Sequence, residues 1–512
     1  MQKTAGNNKR IAKNTLMLYI RMGLIMLMTL YLSRVILNIL GVEDYGIYNV
    51  IAGFVLMFSF LTSTISSGTS RFFAYEIGAG NEKKLSQYFK LSLLSFGILS
   101  VIILVLAETA GLWFIKNLLV IPSGRVSAAI LVYHFSILGF IVSMFSIPYK
   151  SLIIAYEKMD FYAYMGIIEV ALNLLIVFVL TKLPVDKLEL YAILLFALNA
   201  LTTFCYYLYC RLNYSTSRYS FFWEKSMFKE FFSYSFWIII GSLSGLLRGQ
   251  GLNMLLNMFF GPTVNAARGI AYQVQSAINQ FVNNFYMACR PQITKLYAAG
   301  EKEKMMQLIF SSSRICYLLT LLFTLPIFLE TPQILKIWLK TVPDHTVVFT
   351  RLVLIIIIIE TISYPLQAAI SATGKIKWYQ LTTGGINILS LPLSYIYLKQ
   401  GGSPEIVFYI SIFIALVAQI SRLLFMKQLL NISITTFISN VVARMAFVTI
   451  LSAIIPSIIY GNMPSIPFRI LCITSTSLLA IIVWSIMIGI TRNERNFILI
   501  KIRKLYDNRF FK

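Results

Sequence analysis

The sequence predicts an all-α polytopic membrane protein of about fourteen transmembrane helices, built as two six-helix lobes and a C-terminal pair. Three observations lead there. Of the 512 residues 58% are hydrophobic and only 12% are charged, about half the charged share of a soluble protein, and the mean hydropathy is +0.76. Apolar stretches of about 20 residues recur from Leu16 to Ile490, each long enough to cross a hydrocarbon core of roughly 30 Å. Residues of the first half also recur in order 217 to 220 positions further along, the signature of an internal repeat. A soluble multidomain protein is excluded, because so few charges cannot cover the surfaces of several domains.

The elements follow in chain order. Met1 to Lys13 is polar and basic, and the stretch after it is too long for a signal peptide and lacks a small-residue cleavage site. The first span is therefore 14–40. Its Arg21 and Arg34 lie about 20 Å apart at 1.5 Å per residue, placed either to snorkel to opposite interfaces or to face the protein interior. The second span, 47–73, is rich in hydroxyls: Ser59, Ser63, Thr64, Ser66, Ser67, Thr69 and Ser70. Spans at 86–110, 126–149, 161–182 and 189–211 complete the first lobe, 1–211, and contain the acids Glu108 and Glu169.

The seventh span, 231–258, sets Gly241, Gly245, Gly249, Asn253 and Asn257 on one stripe at every fourth position, with Arg248 beside it. Small residues at this spacing permit close helix packing. An arginine at this depth costs roughly 2.5–3.5 kcal/mol and calls for water or an anion. The eighth span, 264–289, holds Arg268, Gln273, Gln275, Ser276, Asn279, Gln280, Asn283 and Asn284, more polar groups than a lipid-facing helix tolerates. Spans at 306–329, 347–371, 378–398 and 405–427 complete the second lobe, 212–430. Glu360 follows the run Leu354 to Ile359 and precedes Pro365, which makes it a coupling-ion or proton site, an arginine's partner, or the edge of a wet helix break. Pro148, Pro326, Pro365, Pro392 and Pro456 lie where prolines kink helices. The spans 437–460 and 467–490 fall outside the repeat and, with a basic tail, form an accessory segment, 431–512.

Lys and Arg outnumber Asp and Glu by 44 to 20, a net charge of +24. With the N-terminus inside, most of these cations fall in cytoplasmic segments, including Lys83, Lys84, Lys150, Lys158, Arg290, Lys295, Lys302, Lys304 and the tail from Arg492. The positive-inside bias places both termini in the cytoplasm. Arg71, Arg290, Arg314, Arg422 and Arg444, near cytoplasmic ends, read as anchors to lipid phosphates. Membrane lipids and an anionic substrate are thus the acidic partners. Nucleic acid is not, because the charge sits in short loops. The largest loop, around Thr331 to Thr346, is about fifteen residues, too short for the polar domain that a glycan-building membrane enzyme needs, so the chain reads as no enzyme. Cys205, Cys210, Cys289, Cys316 and Cys472 lack any CxxC spacing and read as inert thiols. His134 and His345 have no ligand partner at metal-binding spacing.

A shift of 220 lays Gly41 on Gly261, Ala79 on Ala299, Gly80 on Gly300, Lys84 on Lys304 and Ser92 on Ser312. A shift of 217 lays Ser146, Pro148, Ile153, Ala155, Lys158 and Tyr162 on Ser363, Pro365, Ile370, Ala372, Lys375 and Tyr379. Each unit holds six helices, an even number, so the two copies enter the membrane in the same direction, related by a pseudo-two-fold axis along the membrane normal. Two such lobes facing a central cavity make a transporter. Asn279, Asn283 and Asn284 fall on Ser59, Ser63 and Thr64, so matching helices present polar faces of amides and hydroxyls, groups suited to hydrogen-bonding sugars.

The stretch GQGLNMLLNMFFGPTVNAARGIAYQVQSAINQFVNNFYMACRPQITKLYAAG, Gly249 to Gly300, closely resembles the bacterial polysaccharide flippases of the Wzx type, in the multidrug/oligosaccharidyl-lipid/polysaccharide exporter superfamily. GVEDYGIYNVI at Gly41 to Ile51 and SRFFAYEIGAG at Ser70 to Gly80 extend the resemblance to the first lobe. It implies a MATE-like fold in the bacterial inner membrane. It also implies flipping, by alternating access, of an undecaprenyl-diphosphate-linked oligosaccharide repeat unit for O-antigen, capsule or a related lipopolysaccharide or surface polysaccharide. Polysaccharide polymerase and chain-length proteins would be partners. In that light Arg248, Arg21 and Arg268, with Arg34, are the expected contacts for the diphosphate or an anionic sugar. Asn253, Gln275, Asn279, Asn283, Ser59 and Ser63 would meet the sugars. Glu360 is the expected coupling site for Na+ or H+, with no other cofactor. The alternatives are a MATE-type multidrug or cation exporter and a flippase for lipid II. Drug exporters tend to use buried acids, whereas arginine dominates the intramembrane charge here.

Overall fold

The computed structural model describes residues 14–25, 58–117, 122–218, 220–339, 342–464 and 467–491, with isolated positions between 28 and 55 and at 495. Arg34, the basic N-terminus and the C-terminal tail lie outside the described residues, as do the side chains of Thr64 and Asn257. Among the described residues there is no strand: the fold is all-α. After the helical residues 14–25, the main helices are α1 (Ser59–Ala79), α2 (Glu82–Leu106), α3 (Val126–Ala155), α4 (Met159–Lys182), α5 (Lys187–Asn213), α6 (Lys225–Phe260), α7 (Pro262–Ala298) and α8 (Lys302–Leu329). They continue as α9 (Thr331–Leu339), α10 (Thr346–Thr361), α11 (Tyr364–Ala372), α12 (Lys377–Ile388), α13 (Ser390–Lys399), α14 (Ile406–Leu430), α15 (Arg444–Asn462) and α16 (Pro467–Trp484).

Ten of the described helices are long and apolar enough to cross a membrane. Of the other expected spans, 14–40 lies partly outside the described residues, and three fall short for local reasons. Both α1 and α7, at matching positions of the repeat, carry too many hydroxyls or amides. The span expected at 378–398 is broken at Leu389 into α12 and α13, with Pro392 in the first turns of α13, where a missing N–H is tolerated. The span Thr346–Ala372, one of the ten, also changes at its proline: α10 ends at Thr361, and α11 opens at Tyr364 with Pro365 in its first turn. Pro148, Pro326 and Pro456 lie inside continuous helices.

The chain forms two compact units. The first comprises Met1–Ile239 with Thr294–Gly300, the second Ile240–Ile293 with Glu301–Lys512. In the first, α3 lies along α5. Val132, Tyr133 and Ile137 pack there with Leu188 and Ala192, and Gly139 lets the helices close, a Cβ there meeting Asn199 Nδ2 at 3.2 Å. In the second, Leu252 and Leu256 of α6 join Phe349, Val353 and Phe408 in the core. The pair α15 and α16 packs on α8, where the buried Arg469 donates to both oxygens of the buried Glu330 carboxylate, at 2.7 and 3.2 Å.

Local geometry follows the repeat. Gly41 and Gly261 both take a left-handed φ, 81° and 77°, and so do Gly80 and Gly300, 70° and 71°, a conformation that favours glycine at helix ends. Glu157 has φ 61° where the 217 shift sets Gly374, φ 75°. The residues just before corresponding helices are also paired within each unit. Arg125, ahead of α3, binds Asp44 and Asp186, the latter capping α5 through the Leu188 and Glu189 N–H groups. His345, ahead of α10, binds Glu405, ahead of α14.

Candidate functional site

In the second unit the polar groups converge from α6, α7, α10, α11 and α12. Arg248 Nη1 donates to Asn387 Oδ1 at 3.1 Å and lies 3.7 Å from Glu360 Oε1. The two charged side chains are 15% and 28% exposed, so the arginine is largely withdrawn from solvent with its counter-charge beside it. Arg268 is held differently: it donates to Asn253 Oδ1 at 3.0 Å and to the Gly249 carbonyl at 2.9 Å, with its Cζ 4.3 Å over the Tyr272 ring. Neutral oxygens and a π-face thus offset its charge. Glycine at 249 belongs to the small-residue stripe of α6, and Gly241 and Gly251 on the same helix make room for Gln380 and Leu391.

On α7, Gln273, Ser276, Gln280 and Asn283 are exposed, and their spacing of three and four residues lines them on one face. Asn279, half-buried beside that face, accepts a 2.9 Å hydrogen bond from Tyr364 Oη, and Gln275 is half-buried. A row of amides on a helix at membrane depth needs water or a polar ligand against it.

The first unit holds its own charged cluster. Arg21 lays its guanidinium 4.6 Å over the Tyr162 ring, and Gly166 supplies the space, since a Cβ there would stand 2.2 Å from Arg21 Nε. Lys150 lies 3.9 Å from Glu169 and 4.7 Å over the Tyr206 ring. Ser59 and Ser63 are exposed on α1.

Thus the second unit brings together Arg248 and Glu360, and separately Arg268 and Asn253. Arg21, Ser59 and Ser63 belong to the first unit. Sequence reasoning gave Asn387, Tyr364 and Tyr162 no role at the site. Asn387 was legible as one of two amides, with Gln380, in the span 378–398. Lys150, counted from the sequence as a loop charge, lies inside α3 with an acid partner. Among the described residues no cluster of His, Cys, Asp and Glu could hold a metal ion.

The helical architecture is that of a MATE-type membrane protein. A MATE-family multidrug resistance transporter of the MOP superfamily, in its outward-facing conformation, superposes with a TM-score of 0.70 at 15% identity, covering 83% of this chain and 96% of its own. A MOP superfamily transporter from Pyrococcus furiosus, whose binding pocket has reversed polarity, gives 0.67 at 15% identity over 83% and 97%. The Vibrio cholerae MATE transporter VcmN in its bent form gives 0.65 at 16% over 86% and 100%. The model of the polysaccharide biosynthesis protein family matches residues 11–297, more than half of the chain, and the protein belongs to that family. No curated protein matches.

Proposed function

We propose that the protein flips undecaprenyl-diphosphate-linked oligosaccharide repeat units across the bacterial inner membrane, by alternating access, for surface polysaccharide assembly. The observation that carries this reading is the exposed amide face of α7, Gln273, Ser276, Gln280 and Asn283, on a helix too polar to lie in lipid. Amides and hydroxyls suit a sugar's many donors and acceptors. Arg248, Arg268 and Arg21 supply the cations that a diphosphate requires, and the polysaccharide biosynthesis family supports the glycan. No bond of the substrate is made or broken in this reading. Both termini are cytoplasmic, Na+ or H+ drives the cycle, and the polymerase and chain-length proteins take the product onward.

Cation export fits less well. Glu360, the acid expected to couple an ion, already has Arg248 beside it, so a cationic drug would have to displace or tolerate a guanidinium. Lipid II is the closer rival, since it shares the diphosphate and the tail.

The test is extraction of undecaprenyl-linked glycans from a strain lacking the protein, with surface polysaccharide scored in parallel. Single unpolymerised repeat units should accumulate and surface glycan should vanish, both reversed by complementation. Normal intermediates and normal glycan in a strain without a redundant flippase would overturn the reading. Accumulation of lipid II alone would reassign the substrate.

A further inference from the structure

We propose that the second unit also contains a binding site for the hydrocarbon tail of a polyprenyl lipid, in an apolar pocket beside the amide face of α7. The inference rests on the flippase reading and adds where the tail is held. The pocket is a half-open cleft of about 290 Å³ between α7, α8, α9 and α10, with Ala277, Phe281, Phe323, Ile334, Leu335 and Trp338 among its walls. Phe281 and Phe323 pack together within the lining, 4.7 Å between ring centroids. Besides Gln273, two threonines reach it, and both of their hydroxyls are turned onto backbone. Thr331 Oγ1 donates to the Ile327 carbonyl at 2.6 Å and Thr350 Oγ1 to the Thr346 carbonyl at 2.8 Å.

A water molecule needs two to four polar partners, more than the single Gln273 amide offers, whereas an apolar cavity of about 150 Å³ stays dry and accepts benzene. This pocket is roughly twice that size, room for about two five-carbon isoprene units by the same measure. The occupant is therefore hydrocarbon.

Its neighbour identifies the rest of the molecule. Gln273 lines the pocket and also opens the exposed row Ser276, Gln280 and Asn283, while Ala277 and Phe281 of the same helix line the pocket. One helix thus offers adjoining polar and apolar surfaces, which fits an amphiphile with a sugar-bearing head and an isoprenoid chain better than a bulk phospholipid. At α9, Lys336, Ile337 and Trp338 are exposed, the residue types of a membrane–water interface. On the positive-inside reading this is the extracytoplasmic side, so the pocket receives the tail where the flipped lipid departs.

The experiment uses the full-length protein in nanodiscs and a diazirine-bearing farnesyl diphosphate, with cross-linked peptides mapped by mass spectrometry. Label should fall on peptides of α7, α8 and α9, be competed by undecaprenyl phosphate, and resist phosphatidylglycerol. Ala277→Trp, which fills the pocket, should cut labelling at least tenfold, and Ile334→Trp, from the opposite wall, serves if the first variant does not fold. Labelling that survives a folded filling variant, falls elsewhere, or is equally competed by phosphatidylglycerol would overturn the proposal. Deletion-strain complementation keeps the two ideas apart. If the wild-type gene restores surface glycan while the pocket stays unlabelled, the tail site alone falls. If complementation itself fails, the flippase reading falls.

Discussion

Arg248 and Glu360, 112 positions apart in the chain, meet at 3.7 Å, and Arg248 Nη1 also donates to Asn387 Oδ1 at 3.1 Å. The contact joins the cation expected to meet the substrate to the acid expected to couple an ion. A diphosphate arriving at Arg248 would compete with Glu360 for it and would release the carboxylate from the pair. Arg248→Ala should abolish surface polysaccharide at unchanged protein level and Arg248→Lys should retain part of it. Glu360→Gln should tighten diphosphate binding while slowing turnover. Wild-type behaviour of both arginine variants would remove Arg248 from the site.

The same pair makes a stability prediction. Removing one partner of a withdrawn ion pair strands the other charge, so each single variant should melt earlier in detergent, and Arg248→Ala/Glu360→Gln should recover part of the loss. The interaction energy from the cycle should fall at about 0.5–3 kcal/mol. Additive losses would mean that the two groups do not sense each other.

What could be read from the sequence was local. Apolar runs and the 3.6-residue period exposed the helices and the amide face of α7, and glycine matches at 41/261 and 80/300 marked turns that both adopt left-handed φ. What could not be read was long-range. Nothing in the sequence around Arg125 points to Asp186, or around Glu330 to Arg469, because an ion pair leaves no periodic trace. The tail pocket draws one wall from each of four helices. Lys150 looked like a loop cation because charge was read without its partner Glu169.

Gly166 and Arg21 give a steric prediction. A methyl at 166 would stand 2.2 Å from Arg21 Nε, a mid-chain atom, so Gly166→Ala should push the guanidinium off Tyr162 and lower surface glycan, and Arg21→Ala should do the same. Because the conflict needs both side chains, Gly166→Ala/Arg21→Ala should be more stable than Gly166→Ala alone. A double variant less stable than either parent would contradict this geometry.

The Arg125 bridge predicts a pH dependence. Burial pulls the Asp186 carboxyl upward, but the Arg125 hydrogen bond and the N–H groups of Glu189 and Leu188 hold it, on balance, below the ordinary carboxylate range. A lowered carboxylate stabilises the fold above its ordinary pKa near 4 and loses that contribution as pH falls through its lowered value. Melting temperature should therefore drop more steeply below about pH 4 in wild type than in Asp186→Asn. Both side chains are about one-third exposed, which limits the effect to less than about 1 kcal/mol. Identical acid profiles would show that the bridge contributes nothing.

The α7 face separates transport from folding. Gln280 and Asn283 are exposed, so Gln280→Leu and Asn283→Leu should change stability by no more than about 0.5 kcal/mol. If that face meets sugars, each should nonetheless cut surface polysaccharide severely and cause lipid-linked repeat units to accumulate. Asn279→Leu is the contrasting case. It deprives Tyr364 Oη of its 2.9 Å acceptor, and a hydroxyl left unsatisfied in a largely buried place costs about 1–3 kcal/mol, so it should lower both melting temperature and protein level. The decisive comparison is flux per folded molecule. Leucine at 280 or 283 should depress it at full expression, and a face that merely packs against lipid would instead tolerate leucine with normal flux.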